Sequence, residues 1–169
     1  PLSATLSRSS LVQTLVLVLR SPSEPHTPQA YLKDAKAGTQ GYVALDRARK
    51  RVVLGYRGSK DLANYLEDAD FFMSTLPFGP PSLKMRVHTG FLYAYQTLRT
   101  ATATAITLAL HECGDGCSIL VTGHSLGAAM ATIAATELAN NGTCPVQLYT
   151  FGSPRVGNAA YASWTASVL

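Results

Sequence analysis

Apolar and polar positions follow regular patterns along most of the chain, and these patterns predict its strands and helices. Two β-rich runs, Gly41 to Asp46 and Val52 to Tyr56, flank the basic turn Arg47 to Arg51, a pattern typical of an antiparallel hairpin. The later patterns predict a long helix from residue 87 to about 110, a strand over 117–122, a helix over 126–139, a strand over 146–151 and a helix over 159–167. The strand, helix and strand over 117–151 predict a right-handed parallel crossover.

Residues 60–73 show the spacing of an amphipathic helix. Its apolar stripe holds Leu62, Tyr65, Leu66 and Ala69, and its polar side holds Asp61, Asn64, Glu67 and Asp68. Taken by itself, this pattern favours an ordinary surface helix with its stripe on the core. A proline-rich loop over 74–82 is predicted to follow.

The N-terminal 30 residues differ from the rest of the chain. The apolar run Leu11 to Leu19 is too short to span a bilayer, and it fits the core of a signal peptide about as well as a buried strand or helix. Three prolines over Ser21 to Pro28 predict a linker. We therefore expect a poorly ordered extension over 1–30 and an α/β domain over 31–169. Because the chain begins with Pro1, we also expect a processed or incomplete product.

The composition indicates one globular domain. The chain has 169 residues, of which 47% are hydrophobic and 14% are charged, with a formal net charge of +4. The basic residues are scattered except at the hairpin turn, so nothing points to nucleic acid. No run is long enough for a transmembrane helix.

Cysteine usage leaves two interpretations open. Cys113 and Cys117 bracket a glycine-rich loop that suits either a disulfide or a reduced pair, and Cys144 is left over. No second His or Cys pair stands at ligand spacing, so we predict no metal site. Asn141 begins an N-glycosylation sequon, which would matter in a secreted protein.

The segment Ile119 to Ala131 carries the strongest chemical signal. A buried strand runs through Gly-His-Ser-Leu-Gly, residues 123–127, directly into a helix of small residues. Such a bend lifts a serine hydroxyl out of the surface, which predicts Ser125 as a nucleophile, and the Leu126 N–H at the helix start would face an oxyanion. The alternative is a glycine-rich turn with a solvated serine.

Four segments together resemble the fungal class 3 lipases, a family that includes feruloyl esterases and phospholipases. They are Tyr56-Arg-Gly-Ser59, Val87-His-Thr-Gly-Phe91, Gly123-His-Ser-Leu-Gly127 and Tyr149 to Asn158, and the likeness covers about residues 41–164. It implies an α/β-hydrolase fold, with a mixed, mainly parallel sheet and flanking helices, and a secreted enzyme that acts on an ester or lipid without a cofactor.

The resemblance also implies roles for individual residues. Ser125 would be the nucleophile, and the Leu126 N–H with the backbone and hydroxyl of Ser59 would form the oxyanion hole. The helix over 60–73 would be a mobile lid in transient contact with a lipid interface. The lid and substrate residues would be Leu62, Asn64, Tyr65, Leu66 and Asp68.

The chain departs from the family pattern in its triad. No aspartate or histidine follows Ser125, although this fold uses them in the order Ser, Asp, His. Glu137 lies twelve residues along the same helix, about 18 Å away. His124 and His88 are interpreted as structural, and His26 and His111 are predicted in loops. The family's partners lie beyond the R-V-G-N motif, so we expect the C-terminal part of the domain to be missing.

Three functions remain to be compared. The first is a serine ester hydrolase that works through an acyl-Ser125 intermediate, present here as an incomplete chain. The second is a noncatalytic, truncated lipase-like protein that binds lipid. The third is an unrelated binding domain with a coincidental elbow, which the order of the four motifs disfavours.

Overall fold

A five-stranded mixed sheet forms the centre of the protein. The computed structural model describes residues 26–58, 72–142 and 144–169. The strands are β1 (His26–Asp34), β2 (Thr39–Asp46), β3 (Arg51–Tyr56), β4 (Met73–Thr75), β5 (Arg86–His88), β6 (Ser118–His124) and β7 (Val146–Phe151). In the main sheet the order is β1-β2-β3-β6-β7, and β4 and β5 form a separate antiparallel pair. The main sheet is antiparallel from β1 to β3 and parallel from β3 to β7.

Within the described residues, three helices connect and cover these strands. They are α1 (Thr89–Cys113), α2 (Leu126–Asn140) and α3 (Ala159–Val168), with a 3-10 turn at Pro81–Leu83. The helix α1 contacts β1, β2 and β3, α2 contacts β3, β6 and β7, and α1 also packs against α2. Both long helices therefore lie on the same face of the sheet, and the hydrophobic core is between them and that face.

Small side chains let α2 approach the sheet closely. Ala128, Ala129, Ala131, Ala134 and Ala135 are fully buried. The sheet meets them with branched side chains of alternate residues, namely Val43, Leu45, Val52, Leu54, Ile119 and Val121. This alternation places one side of each strand in the core and the other on the opposite face.

A buried polar cluster joins α1 to α2. The Tyr95 hydroxyl and the Arg99 guanidinium both donate hydrogen bonds to the Glu137 carboxylate. Beside them, the hydroxyls of Tyr56 and Thr102 lie 2.9 Å apart and link β3 to α1. Burial raises the pKa of the Tyr56 and Tyr95 hydroxyls above the ordinary value for tyrosine. Both side chains therefore remain neutral hydrogen-bonding groups.

A disulfide closes the connection between α1 and β6. Cys113, the last residue of α1, is bonded to Cys117, which directly precedes β6. The structure thus selects the disulfide from the two interpretations of this pair. Cys144 has a free thiol, and burial raises its pKa.

The structure confirms the predicted hairpin, the parallel crossover and the three helices after residue 87, with small shifts at their ends. Two histidines predicted in loops lie in regular elements, since His26 begins β1 and His111 lies in the last turn of α1. Residues 26–30 belong to β1, so the predicted extension over 1–30 and the linker predicted over 21–28 both reach too far. The remainder of that segment, including Leu11 to Leu19, lies outside the described residues.

The predicted helix over 60–73 also ends too late, because Met73 begins β4. Its residues up to 71 lie outside the described part of the chain. The predicted loop over 74–82 contains the end of β4 and the start of the 3-10 turn.

The buried Asp46 holds the turn between β2 and β3. Its carboxylate accepts the Arg49 backbone N–H at 3.1 Å and the Arg51 Nε–H at 3.0 Å, and it also pairs with the Arg49 side chain. Desolvation by burial opposes the charged form, but these hydrogen bonds outweigh it and hold the pKa below its ordinary value.

We predict that Asp46→Asn removes a stabilisation that depends on pH. A lowered folded-state pKa stabilises the fold above the unfolded value of about 3.9, and this contribution is lost as the pH falls through the folded value. The substitution should lower the free energy of unfolding by about 1–3 kcal/mol near neutral pH and by less near pH ~3. Urea unfolding at both pH values measures this, with the exposed Asp115→Asn as the matched control. An equal loss at both pH values would contradict it.

Candidate active site

Ser125 stands at a sharp bend between β6 and α2. Its φ is 57° and its ψ is −123°, which is unusual for a residue with a side chain. The bend is held by backbone hydrogen bonds: Ser125 N–H donates to Phe151 C=O at 3.0 Å, and Ser125 C=O accepts from Ala128 N–H at 2.9 Å. A strained, well-bonded serine at the end of a central strand is the arrangement of a nucleophile elbow.

Two glycines make this bend possible. A Cβ on Gly123 would lie 2.2 Å from the Gly127 carbonyl oxygen, and a Cβ on Gly127 would lie 2.3 Å from the Tyr56 carbonyl oxygen. The first turn of α2 is therefore pressed against both β6 and the end of β3. Neither position has room for a side chain.

The end of β3 also reaches the elbow. A Cβ on Gly58 would lie 2.9 Å from the His124 carbonyl oxygen and 3.5 Å from the Ser125 Cβ. Ser59, the predicted oxyanion-hole residue, comes next in the sequence but lies outside the described residues. Its immediate neighbour is thus beside the nucleophile, as the predicted role requires.

Leu126, the second predicted oxyanion donor, is the first residue of α2. Its side chain is buried and its backbone N–H has no hydrogen-bond partner among the described residues. The N–H groups at a helix start are unsatisfied within the helix and lie at its positive end. The Leu126 N–H is therefore available to an anion that forms at Ser125.

Among the described residues, no base is in place at the nucleophile. The Ser125 hydroxyl makes no hydrogen bond within residues 26–58, 72–142 and 144–169. His124 is exposed and its Nε2 faces Gly152, while the His88 ring stacks on Phe91 with 4.4 Å between centroids. His26 pairs with Asp46 in the β1–β2 ladder, at the opposite end of the sheet from Ser125, and His111 lies in the last turn of α1.

Glu137, the only acid after Ser125, has a structural role. Its carboxylate is bound by Tyr95 and Arg99, and the hydrogen bond to Glu137 raises the pKa of the Arg99 guanidinium. A carboxylate with these partners is not available to orient a histidine.

The predicted lid residues Leu62, Asn64, Tyr65, Leu66 and Asp68 lie outside the described residues. The described part of the chain resumes at Phe72. Phe72 C=O accepts both the Thr89 backbone N–H at 2.9 Å and the Thr89 hydroxyl at 2.7 Å. Thr89 also contacts the Ser74 hydroxyl at 2.8 Å. Thr89 therefore holds Phe72 and Ser74 at the start of α1.

Thr89 and Asn158 are two residues whose roles the sequence analysis did not assign. The Asn158 side chain accepts the Arg86 and Tyr161 N–H groups at 3.2 and 2.9 Å, and it donates to Lys84 C=O at 3.2 Å. It thereby caps α3 and fixes β5 beside it. Thr89 lies in the segment Val87 to Phe91 and Asn158 ends the segment Tyr149 to Asn158. Membership of these two family segments was the signal in the sequence that could have pointed to them.

Metal and membrane-spanning features are not found in the described residues. No group of three or more His, Cys, Asp or Glu side chains there could hold a metal ion. None of the helices described is both long enough and apolar enough to cross a membrane.

Comparison with known proteins identifies the family. The family model "Lipase (class 3)" matches residues 53–169, which include the elbow and the end of β3. The chain belongs to the class 3 lipase family. Its fold is therefore that of the α/β-hydrolases, with the mixed sheet and flanking helices described above.

The chain is similar to several characterised lipases. It is 40% identical over 129 residues to secreted mono- and diacylglycerol lipase 1 of Fusarium solani, and 36% identical over 126 residues to secreted mono- and diacylglycerol lipase A of Penicillium cyclopium. These matches cover 76% and 75% of this chain but only 37% and 40% of the relatives.

A solved triacylglycerol lipase whose catalytic centre is a serine protease triad has a TM-score of 0.76 to this chain and 27% identity. The match covers 86% of this chain and 55% of that one. The described sheet and helices therefore follow the fold of a complete lipase over this part of its length.

We predict that Gly127→Ala destabilises the fold strongly. Helix propensity alone would favour alanine by about 1 kcal/mol, but its Cβ would overlap the Tyr56 carbonyl oxygen, and overpacking against backbone should cost about 3 kcal/mol. Thermal unfolding of this variant measures the difference.

The matched control is Gly38→Ala, which changes a glycine with φ of 68° and nothing within 4 Å of the new Cβ. It should cost only the backbone strain, about 1–2 kcal/mol. A Gly127→Ala variant as stable as the unmodified chain would show that the elbow is not closely packed.

Proposed function

We propose that this chain supplies the nucleophile and oxyanion hole of a serine carboxylic-ester hydrolase that degrades lipids. The observation that carries the proposal is the Ser125 elbow, in which a strained serine precedes a free Leu126 N–H at a helix start. Acyl transfer of this kind needs neither metal nor nucleotide, so no cofactor is proposed.

Each residue would have a defined part in the reaction. The Ser125 oxygen attacks the ester carbonyl carbon while its proton passes to a base, and the Leu126 and Ser59 donors hold the resulting oxyanion. The tetrahedral intermediate collapses to an acyl-Ser125 ester and releases the alcohol, which takes up the proton. Water then attacks the acyl-serine in the same way and releases the carboxylic acid. No histidine lies between Ser125 and Leu169, so no residue of this chain is assigned as the base.

The relatives support acylglycerols as the substrate class and secretion as the location. The Fusarium and Penicillium proteins are secreted mono- and diacylglycerol lipases. Asn141, at the end of α2, is exposed and begins the sequon, which suits glycosylation of a secreted protein. We further propose that residues 60–73, through Leu62 and Leu66, act as a lid that contacts the lipid interface transiently.

We predict that Ser125 is required for hydrolysis when triad partners are supplied. Residues 1–169 can be joined to the part of the Fusarium solani lipase that follows the matched region, where the family resemblance implies that the aspartate and histidine lie. This chimaera should hydrolyse a p-nitrophenyl ester and be labelled by a fluorophosphonate. Ser125→Ala should abolish both, because no other serine lies on a strand-to-helix elbow in the described residues.

The exposed Ser153→Ala is the matched control and should leave labelling intact. Labelling that persists in the Ser125→Ala chimaera would reject Ser125 as the nucleophile.

We predict that the 169-residue chain alone hydrolyses the p-nitrophenyl ester far more slowly than the chimaera does. Without its base, a serine hydrolase retains only a rate acceleration of about 10³- to 10⁴-fold over the uncatalysed reaction, which comes from substrate binding and the oxyanion hole. Turnover by the isolated chain at the rate of the chimaera would contradict this. If neither form hydrolyses esters while both bind lipid, the alternative of a noncatalytic lipid-binding protein is correct.

A further inference from the structure

The three cysteines of the chain lie at one end of the main sheet. Cys113 ends α1, Cys117 directly precedes β6, and Cys144 lies two residues before β7. Cys113 and Cys117 form a disulfide, whereas Cys144 carries a free thiol. The proposed function uses none of them, since Ser125 follows the opposite end of β6.

The parallel register of β6 and β7 places Cys144 beside Cys117. Ile119 pairs with Val146, and the Ile119 N–H donates to Pro145 C=O at 2.8 Å, so the two chain segments run side by side at this end. Two residues earlier on each segment, the neighbours are Cys117 and Cys144. Neighbouring strands lie about 4.8 Å apart, which is within the Cα separation of about 4.4–6.8 Å that a disulfide spans.

Both of these cysteine side chains lie on the face of the sheet that the helices cover. Side chains alternate along a strand, so Cys117 shares a face with Ile119, and Cys144 shares a face with Val146. Cys117 and Ile119 are buried in the hydrophobic core, and Cys144 and Val146 pack against it. The Cys144 thiol and the disulfide are therefore on the same side of the sheet, next to the same core.

The bonded partner of Cys117 and its neighbouring thiol approach it from different sides. The helix α1, which ends at Cys113, contacts β1, β2 and β3, whereas β7 lies on the other side of β6 from these strands. Thiol–disulfide exchange is a displacement at sulfur, in which the attacking sulfur approaches opposite the leaving one. This arrangement therefore suits an attack of Cys144 on Cys117 with Cys113 as the leaving group.

We propose that the three cysteines form a thiol–disulfide exchange site in which Cys117 changes its partner from Cys113 to Cys144. The Cys144 thiol gives its proton to solvent, and the resulting thiolate attacks the Cys117 sulfur. The bond between Cys113 and Cys117 breaks, and Cys113 leaves as a thiolate that takes up a proton. One thiol and one disulfide are present before and after the step, so it needs no oxidant or reductant.

The exchange changes which elements are covalently joined. The bond between Cys113 and Cys117 closes only the short loop from α1 to β6, whereas a bond between Cys117 and Cys144 joins β6 to β7 and encloses all of α2. A longer closed loop restricts the unfolded chain more. Burial raises the pKa of the Cys144 thiol, so little reactive thiolate is present at neutral pH and the uncatalysed exchange is slow.

The test maps the disulfides of the full 169-residue chain and does not depend on hydrolysis. The folded chain is equilibrated in a glutathione buffer, quenched with acid, alkylated and analysed by mass spectrometry. Cleavage before Asp115 and after Glu137 separates the three cysteines. We expect linked Cys117 and Cys144 peptides together with alkylated Cys113. Absence of that linked pair after equilibration would overturn the proposal.

Two variants that each retain two cysteines test whether Cys117 is the shared sulfur. Cys113→Ser keeps Cys117 and Cys144, and most of the folded chain should form the disulfide between them. The matched Cys117→Ser keeps Cys113 and Cys144, which are not neighbours in the strand register, and it should form about a tenth as much disulfide at the same glutathione ratio. Equal yields in the two variants would overturn the proposal.

Folding of the variants is checked separately, because both substitutions remove the disulfide that the structure shows. Circular dichroism establishes whether each variant is folded, and the same mapping in urea gives the yield for the unfolded chain. The yield of the Cys117–Cys144 bond should fall in urea, because the strand register no longer holds the two sulfurs together. A yield no higher in the folded chain than in urea would overturn the proposal. If a variant does not fold, the mapping of the unmodified chain decides it.

Discussion

The close approach of α2 to the ends of β3 and β6 is the constraint on which the rest of the structure depends. The missing Cβ atoms of Gly123 and Gly127 let the first helical turn rest directly on strand backbone. That contact forces Ser125 into its unusual backbone conformation and directs the start of α2 at the same point. The contact between the first turn of α2 and the ends of β3 and β6 thus positions both the nucleophile and the oxyanion donor.

The same close packing explains the one-sided arrangement of the helices. A helix of buried alanines fits tightly on the sheet, and the cluster of Tyr95, Arg99 and Glu137 holds α1 against it on that face. Removing any one of these three side chains would be costly, because the remaining buried groups would lose a hydrogen-bond partner. The candidate nucleophile therefore lies at the edge of the sheet, where the ends of β3 and β6 meet α2.

Local patterns were sufficient to predict the elements nearest the chemistry. The elbow, the hairpin before it and the crossover after it follow from apolar periodicity and glycine spacing, which act over a few residues. The start of β1 was missed because three prolines, Pro22, Pro25 and Pro28, resemble a linker. Pro28 is tolerated there since β1 is an edge strand with an irregular register between Pro28 and Ala30.

Other features depend on contacts that no local pattern encodes. The sequence places Glu137 on a helix, but only the packing of α1 on α2 shows that Arg99 and Tyr95 use its carboxylate. The resemblance to class 3 lipases was confirmed by the family comparison, whereas the roles of Ser59 and the lid residues remain predictions.

The central claim is that the Leu126 N–H stabilises the oxyanion that forms at Ser125. A crystal structure of the chimaera after reaction with an alkyl phosphonate would test it most directly, because the phosphoryl oxygen of the adduct stands in for the oxyanion. We expect the phosphorus on the Ser125 oxygen, with the phosphoryl oxygen about 3 Å from the Leu126 nitrogen. An adduct on another residue, or a phosphoryl oxygen directed away from the start of α2, would contradict the account.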